Sequence, residues 1–328
     1  MSGVDRSRMM ASISCLTFNH EAYIREALDS FLMQKTDFEY EILVHDDAST
    51  DGTGDILREY ALKYPDKVKP LIQTKNQYSQ GIDNISGAFN FPRVRGKYIF
   101  MCDGDDYWTS PDKMQKQVDY MEAHPDCTLC IHSAKIQLVG KALTEGQMRP
   151  YRESRVISPE EIVDKPSGYA MSSMAFPSRL VKELPDYYVD CPVGDTPLQM
   201  MAAAEGYGYY FDEIMSAYRV GVAGSWTTAG KDGNYARKQQ IYWERMKKVY
   251  EEFDAATAGR FQEAAESAAK RTYYHTMVNT RQFQQILNPQ YRRYYKELTP
   301  RTRFFIQAEY RTPGLYQLLR KKFLGKRE

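Results

Sequence analysis

The residues best suited to chemistry lie in Tyr98-Ile99-Phe100-Met101-Cys102-Asp103-Gly104-Asp105-Asp106-Tyr107-Trp108, where an apolar run ends in three carboxylates within four residues. Carboxylates this close repel one another unless a cation sits among them. Hard divalent cations such as Mn2+ or Mg2+ take oxygen ligands and leave places for water and substrate phosphates. The apolar run reads as a buried strand, apolar on both faces. Its acids then meet solvent at the strand's carboxyl end, the edge at which open α/β sheets bind ligands. The chemistry indicated is the holding of a metal together with a phosphorylated ligand. The plainer reading is a solvated acidic turn, because Ser110-Pro111-Asp112 is a helix start. A second strand, Glu41 to His45, also ends in acids: Asp46-Asp47-Ala48-Ser49-Thr50-Asp51-Gly52. In a parallel sheet the two carboxyl ends share one edge, so both clusters can face one cleft. That convergence is more specific than either cluster alone.

The elements that must position these acids alternate. Ile13 to Leu16 is predicted as a strand. A helix follows through Met33, with Ile24, Ala27, Leu28, Phe31 and Leu32 at helical spacing. A second helix runs from about Asp55 to Tyr64. Val68 to Ile72 reads as an edge strand because it contains Pro70. Residues 74 to 96 are polar and irregular, with one short helix near Ile82 to Phe89. After the acidic turn come a helix from Asp112 to His124 and a strand from Cys127 to Ser133. This order predicts a mostly parallel sheet with right-handed crossovers. Beyond residue 135 the alternation weakens. Ser158-Pro159-Glu160-Glu161 is a capping box. Met171 to Phe176 reads as a strand. Asp195-Thr196-Pro197-Leu198-Gln199 opens a helix with Thr196 as N-cap and Gln199 completing the box. Tyr209 to Arg219 reads as extended, Gly221 to Asn234 as a mobile loop, and the chain from Tyr235 onward as helical.

The chain has 328 residues and a formal net charge of +1. That length suits one large α/β domain with an appendage, or two domains, and the charge balance gives no reason to expect nucleic acid as a partner. No apolar run is long enough to span a bilayer. Met1 to Arg8 has no apolar h-region, so a secretory signal is not expected. The five cysteines are odd in number, and Cys15, Cys102 and Cys130 sit in apolar runs, which reads as buried thiols of a cytoplasmic protein. The 26 tyrosines serve core and interfaces first, with stacking on sugars a second use.

Three alternatives for the clusters fail on spacing. Asp47, Ser49, Asp51 and Gly52 occupy the first, third, fifth and sixth places of an EF-hand loop, but the twelfth is Arg58 where Glu is required. A haloacid-dehalogenase-type phosphatase carries its acid pair after the first strand, which here ends in Thr17-Phe18-Asn19. Cys127 and Cys130, flanked by His124 and His132, suggest zinc. A strand puts those two cysteines on opposite faces, and no second Cys pair follows, so buried thiols are the better reading.

The succession Ile13-Ser14-Cys15-Leu16-Thr17-Phe18-Asn19, then Ile42-Leu43-Val44-His45-Asp46-Asp47-Ala48-Ser49-Thr50-Asp51-Gly52-Thr53, then Gly96-Lys97-Tyr98-Ile99-Phe100 leading into Asp103-Gly104-Asp105-Asp106, resembles the inverting family 2 glycosyltransferases of GT-A fold. The resemblance covers residues 10 to 225 or so, with the blocks in family order. It implies an α/β, Rossmann-like GT-A fold: a mostly parallel sheet flanked by helices, with a helical C-terminal extension. It divides the chain into a glycosyltransferase domain over 1–225 and a mobile loop and helical extension over 226–328. Within the domain, 10–106 would bind the nucleotide sugar and 107–225 the acceptor. It implies a nucleoside diphosphate sugar as donor, UDP-linked in most of the family, and Mn2+ or Mg2+ as cofactor. By the same resemblance Thr17, Phe18 and Asn19 belong to the donor site and Asp47 holds the base. Asp103 lies on the ribose side, Asp105 on the metal and Asp106 close to the donor sugar. Asp195, in Val193-Gly194-Asp195, falls where the family places its general base. Tyr218-Arg219 followed by Ser225-Trp226 resembles a segment near the diphosphate. The chain departs from the family at Gly87-Ala88-Phe89-Asn90, where many members carry Ala-Arg-Asn.

The chemistry suits these parts. Glycosyl transfer builds oxocarbenium character at the anomeric carbon and negative charge on the leaving phosphates. A metal neutralises that charge, and a carboxylate takes the proton from the acceptor hydroxyl. The plainer reading of Asp195 is a helix cap. As a base it would be kept ionised by the helix N-terminus. Residues 301–328 carry eight Arg or Lys against two Glu, a net of +6, with Phe and Leu interleaved. Such a tail can lie on an anionic membrane or pack as a helix on the domain. The expected protein is therefore a cytoplasmic enzyme of polysaccharide biosynthesis, peripheral to the membrane if the tail binds there, acting on a glycan or lipid-linked acceptor. Two rivals remain. A sugar-nucleotide nucleotidyltransferase would need a Gly-rich basic loop where Thr17-Phe18-Asn19-His20 stands. A glycan-binding protein of the same fold would have lost catalysis.

Overall fold

Apolar runs at the predicted places become the strands that carry the acids. A computed structural model describes residues 9–140, 146–223, 234–314 and 316. The first stretch runs β1 (Met9–Thr17), α1 (Ile24–Leu32), β2 (Glu39–Asp46), α2 (Thr53–Lys63), β3 (Val68–Ile72) and β4 (Tyr98–Met101). The order β3-β2-β1-β4 is parallel throughout. Helix α1 buries Ile24, Ala27, Leu28 and Phe31, the stripe read from the sequence. Strand β3 lies at the sheet edge, as Pro70 predicts. In register, Thr17 pairs with Asp46 and Ser14 with Met101. The acids after β2 and β4 therefore leave the sheet at one edge.

The second stretch runs β5 (Tyr107–Trp108), α3 (Lys113–Ala123), β6 (Cys127–Leu138), β7 (Gly146–Met148), β8 (Arg155–Ile157), α4 (Pro159–Asp164), β9 (Ala175–Pro177), α5 (Asp186–Val189), α6 (Asp195–Glu205) and β10 (Tyr207–Val220). The sheet path is β3-β2-β1-β4-β9-β6-β10-β5, with β7 on β6 and β8 on β10. The long strands β6 and β10 are parallel, while the short pieces β5, β7, β8 and β9 pair antiparallel. Strand β5 follows β4 through a tight turn, with the Asp106 amide on the Asp103 carbonyl at 3.0 Å, yet it pairs with β10 at the far end of the path. Only a curled sheet brings the far end of that path back to the end of β4. Trp108 of β5 then packs edge-on against Phe31 of α1, 4.8 Å between ring centroids.

Three local expectations change. Met171–Ser173 is a 3-10 turn, and only Ala175–Pro177 is strand. Helix α6 begins at Asp195 with Gly194 in the cap position, so Thr196 lies in the first turn and caps nothing. Cys127 and Cys130 lie with their sulfurs 3.8 Å apart, not on opposite faces. The reason is a register shift between β6 and β10 at Tyr207–Gly208. An irregularity there breaks the two-residue alternation. All five cysteines are free and buried. The capping box at Ser158 forms, its hydroxyl accepting the Glu161 amide at 3.2 Å.

The chain divides into two compact units: Met1–Lys231 with Arg245–Ala268, and Asp232–Glu244 with Ala269–Glu328. The helices of this region are α7 (Tyr235–Ala256), α8 (Gln262–Asn279), α9 (Phe283–Ile286), α10 (Arg292–Glu297) and α11 (Pro300–Arg311). The second unit has its own core of Tyr274, Met277, Ile286, Tyr294, Leu298 and Ile306. Phe304 and Phe305 of α11 are exposed, at 65% and 42%. The greater part of the predicted mobile loop, and the tail beyond Tyr316, lie outside the described residues.

Candidate active site

The acidic turn is pinned to the end of β1. The Cys102 amide donates to the Ser14 carbonyl at 3.2 Å and the Gly104 amide to the Leu16 carbonyl at 2.7 Å. A Cβ at Gly104 would lie 2.8 Å from Thr17 Oγ1 and 2.9 Å from Ile24 Cδ1, so this approach requires glycine. Buried oxygens are left over: Asp103 Oδ1 and Thr17 Oγ1 have no hydrogen-bond partner among the described residues. Burial and the Asp105 charge lift the Asp103 carboxyl to about 7, with a smaller contribution from Asp195. That contribution places Asp195 close to the turn, although 92 residues separate it from Asp103 in the sequence. Burial, then the Asp105 charge, also raises Asp106, against the Arg219 amide that donates to its Oδ1 at 2.8 Å. His20 Nε2 stands 4.0 Å from Asp105 Oδ2, and His20 Nδ1 is buried without a partner among the described residues.

The loop after β1 is fixed by the loop after β2. Asn19 has a φ of 55° and Ala48 of 62°. The Asn19 amide donates to Ser49 Oγ at 2.8 Å, and Asn19 Oδ1 accepts the Thr50 amide at 2.8 Å. Phe18 between them is 38% exposed. The Asp47 amide donates to the Thr17 carbonyl at 3.0 Å. Its carboxylate accepts the amides of Gln77 and Tyr78 at 2.7 and 3.1 Å. Asp47 thus anchors the turn Tyr78–Gln80 beside the cleft. The Ala-Arg-Asn position is a π-helical turn, Ser86–Asn90, whose buried Asn90 amide donates to Ser14 Oγ at 3.1 Å and the Cys15 carbonyl at 3.2 Å.

Asp195 stands at the first position of α6, its Oδ1 accepting the Thr196 amide at 2.8 Å. Asn84 holds the preceding loop by donating to the carbonyls of Tyr188 and Cys191 at 2.5 and 3.0 Å. Burial raises the Asp195 carboxyl above its ordinary range despite the helix-start amides, so desolvation outweighs the helix N-terminus. The structure therefore brings Asp103, Asp105, Asp106, Asp195 and Arg219 together at one edge of the sheet, with Thr17 against Gly104. Ser225 and Trp226 lie outside the described residues. Sequence reasoning passed over His20, Glu26 and Asn84. His20 stood in the quoted exit of β1, whereas nothing local marks the other two.

Among the described residues, no group of three or more His, Cys, Asp or Glu side chains is arranged to hold a metal by itself, at the acidic turn or at Cys127 and Cys130. The model for the glycosyl transferase family 2 matches residues 12–176, half of the chain. The chain belongs to glycosyl transferase family 2. An uncharacterized protein of Mycobacterium tuberculosis (strain H37Rv) is 33% identical over 239 residues, 71% of this chain and 63% of that protein. The chain thus spans under two thirds of the length of this relative. The Escherichia coli UDP-Glc:alpha-D-GlcNAc-diphosphoundecaprenol beta-1,3-glucosyltransferase WfaP is 34% identical over 115 residues, 34% of this chain and 41% of WfaP. Among solved structures, S. aureus TarS 1-349 with UDP-GlcNAc superposes with a TM-score of 0.58 at 16% identity, covering 93% of this chain and 92% of that one. The Pyrobaculum calidifontis mannosyltransferase PcManGT with GDP-Man and Mn2+ gives a TM-score of 0.54 at 14% identity, covering 100% and 92%. These likenesses establish the GT-A fold. No helix among the described residues is long and apolar enough to cross a membrane.

Proposed function

We propose that this family member is a metal-dependent, inverting glycosyltransferase that moves a sugar from a UDP-linked donor to a glycan or lipid-linked acceptor. The observation that carries this reading is the acidic turn pinned to the end of β1, with the buried oxygens of Asp103 and Thr17 left without partners among the described residues. Thr17, Phe18 and Asn19 would border the nucleotide, Asp47 its base, Asp103 the ribose and Asp106 the donor sugar. Arg219 lies on the diphosphate side through its hold on the turn. The unpartnered oxygens of Asp103 and Thr17 fit a hard cation, and Asp105 would be its ligand, with donor phosphates completing the shell. Mn2+ or Mg2+, when bound, neutralises charge on the leaving diphosphate. Asp195 accepts the acceptor's hydroxyl proton from the face opposite the leaving group, which inverts the anomeric centre. Its raised carboxyl pKa brings it nearer to working pH, where a general base is most effective.

The donors bound by TarS and PcManGT and the acceptor in the name of WfaP support the substrate classes. The free buried thiols support a cytoplasmic setting. The exposed phenylalanines of α11 beside Arg301 support a contact with an anionic membrane, where a lipid-linked acceptor lies. Calorimetry tests the donor reading. UDP or UDP-GlcNAc should bind with Mn2+ and much more weakly with EDTA, and Asp105→Asn should abolish the difference. Equal affinity with and without metal refutes it. The anomeric configuration of the product, read by NMR, tests inversion.

A further inference from the structure

Arg219 joins three segments that are far apart in the chain. Its side chain is 4% exposed. One terminal nitrogen donates to the Asp105 carbonyl at 2.7 Å, and the other to the carboxylate of Glu26 on α1. The rings of Tyr23 and Tyr107 pack on the guanidinium, their centroids 5.1 and 4.6 Å from Cζ. The amide of the same residue holds Asp106 Oδ1. One residue of β10 thus grips the carbonyl of Asp105 and the carboxylate of Asp106. The pairing of β10 with β5, Ala217 opposite Tyr107, brings it there.

We propose that Glu26 and Arg219 form a brace that sets the shape of the acidic turn for metal and diphosphate. Glu26 is then a positioning residue for donor binding, and Arg219 works through the turn rather than as a counter-charge on the phosphates. The inference rests on the donor reading above. Three acids crowd one turn, and a guanidinium fork with two fixed acceptors holds its shape. With its charge buried, Arg219 keeps the fork in place only while Glu26 pairs with it, because a buried cation short of a partner reorients or draws in water. Glu26 is itself 53% exposed and lies in the first turn of α1, where the helix dipole favours an acid.

The test uses the full chain and two readouts. Hydrogen–deuterium exchange of peptides covering residues 102–108 reports the turn, including the bonded amides of Gly104 and Asp106. Calorimetry with UDP and Mn2+ reports the donor site. Glu26→Ala should speed exchange in those peptides while exchange in β2 and β3 stays as in wild type. It should weaken metal-dependent UDP binding by about tenfold or more, the usual effect of losing a group that orients a metal ligand. Glu26→Gln, which keeps an acceptor for Arg219, should recover part of both. Arg219→Lys, which keeps the charge but not the fork, should behave as Glu26→Ala. Unchanged exchange in Glu26→Ala overturns the brace whether or not UDP binds. Tighter UDP binding in Glu26→Ala also overturns it, since Glu26 would then compete with phosphate for Arg219. Faster exchange in a protein whose wild type ignores UDP and Mn2+ would uphold the brace and refute the donor reading.

Discussion

Lys113, the first residue of α3, offers a quantitative test of the core behind the acidic turn. The side chain is fully buried. Its amine donates to Gln117 Oε1 at 2.8 Å and lies 4.2 and 4.8 Å from the ring centroids of Trp108 and Phe100. Burial lowers its pKa from 10.5 to about 7, with Cys102 and Cys130 acting weakly in the other direction. His132, also buried, is near enough to feel its charge. The folded pKa lies below the unfolded one, so between them the unfolded chain binds more protons. This group therefore makes stability rise with pH from about 7 towards 10.5, while below about 7 its penalty is complete and constant. At 1.36 kcal/mol per unit, the full penalty is about 5 kcal/mol and the part relieved between pH 7 and 9 is about 2 kcal/mol. Lys113→Met keeps the apolar stem and removes the penalty, at a cost of about 1–3 kcal/mol for the Gln117 oxygen left unpaired. Buried thiols oppose the trend in wild type, because unfolded cysteines ionise as pH rises. The difference between the two proteins cancels that contribution. Urea unfolding of both at pH 6, 7, 8 and 9, followed by tryptophan fluorescence, should show the variant's relative advantage shrinking by about 2 kcal/mol from pH 7 to 9. Parallel profiles would refute a buried amine that gives up its proton in the folded state.

Asp195→Asn should lower kcat by roughly 10²–10⁴ while donor affinity and melting temperature stay near wild type, and the acid limb of the wild-type kcat profile should lie above the ordinary carboxylate range. A kcat within a few-fold of wild type would leave Asp195 as a helix-start residue. Asp47→Ala should raise donor KM more than it lowers kcat, and should cost about 1 kcal/mol of stability by freeing the amides of Gln77 and Tyr78. An unchanged KM would confine Asp47 to anchoring that turn. Full-length protein should sediment with anionic liposomes at low salt and be released as salt rises; failure to sediment would leave α11 as a helix packed on its own unit.

The parts of the fold whose causes are local were legible in the sequence. Apolar runs at Ile13, Ile42 and Tyr98 had to become buried strands, and the acids that follow them had to leave at the carboxyl ends. The spacing of Ile24, Ala27, Leu28 and Phe31 contains the helix that covers them. The order of these blocks was enough to point to the family. Tertiary structure decided what depends on segments that meet from far away. The sheet curls because β5 must follow β4 and also pair with β10, and only that curl brings Arg219 onto Asp105 and Asp106. Asp195 stands near Asp103 through folding, not spacing, and its surroundings raise its pKa where helix position alone predicted the reverse. A register shift against β10 turned Cys127 and Cys130 to one side, since strand alternation holds only while the ladder is regular. Glu26 looked like any exposed helix acid until its partner arrived from 193 residues away. Periodicity records what a residue's neighbours in the chain require, whereas the charge and packing that set its chemistry come from neighbours in space.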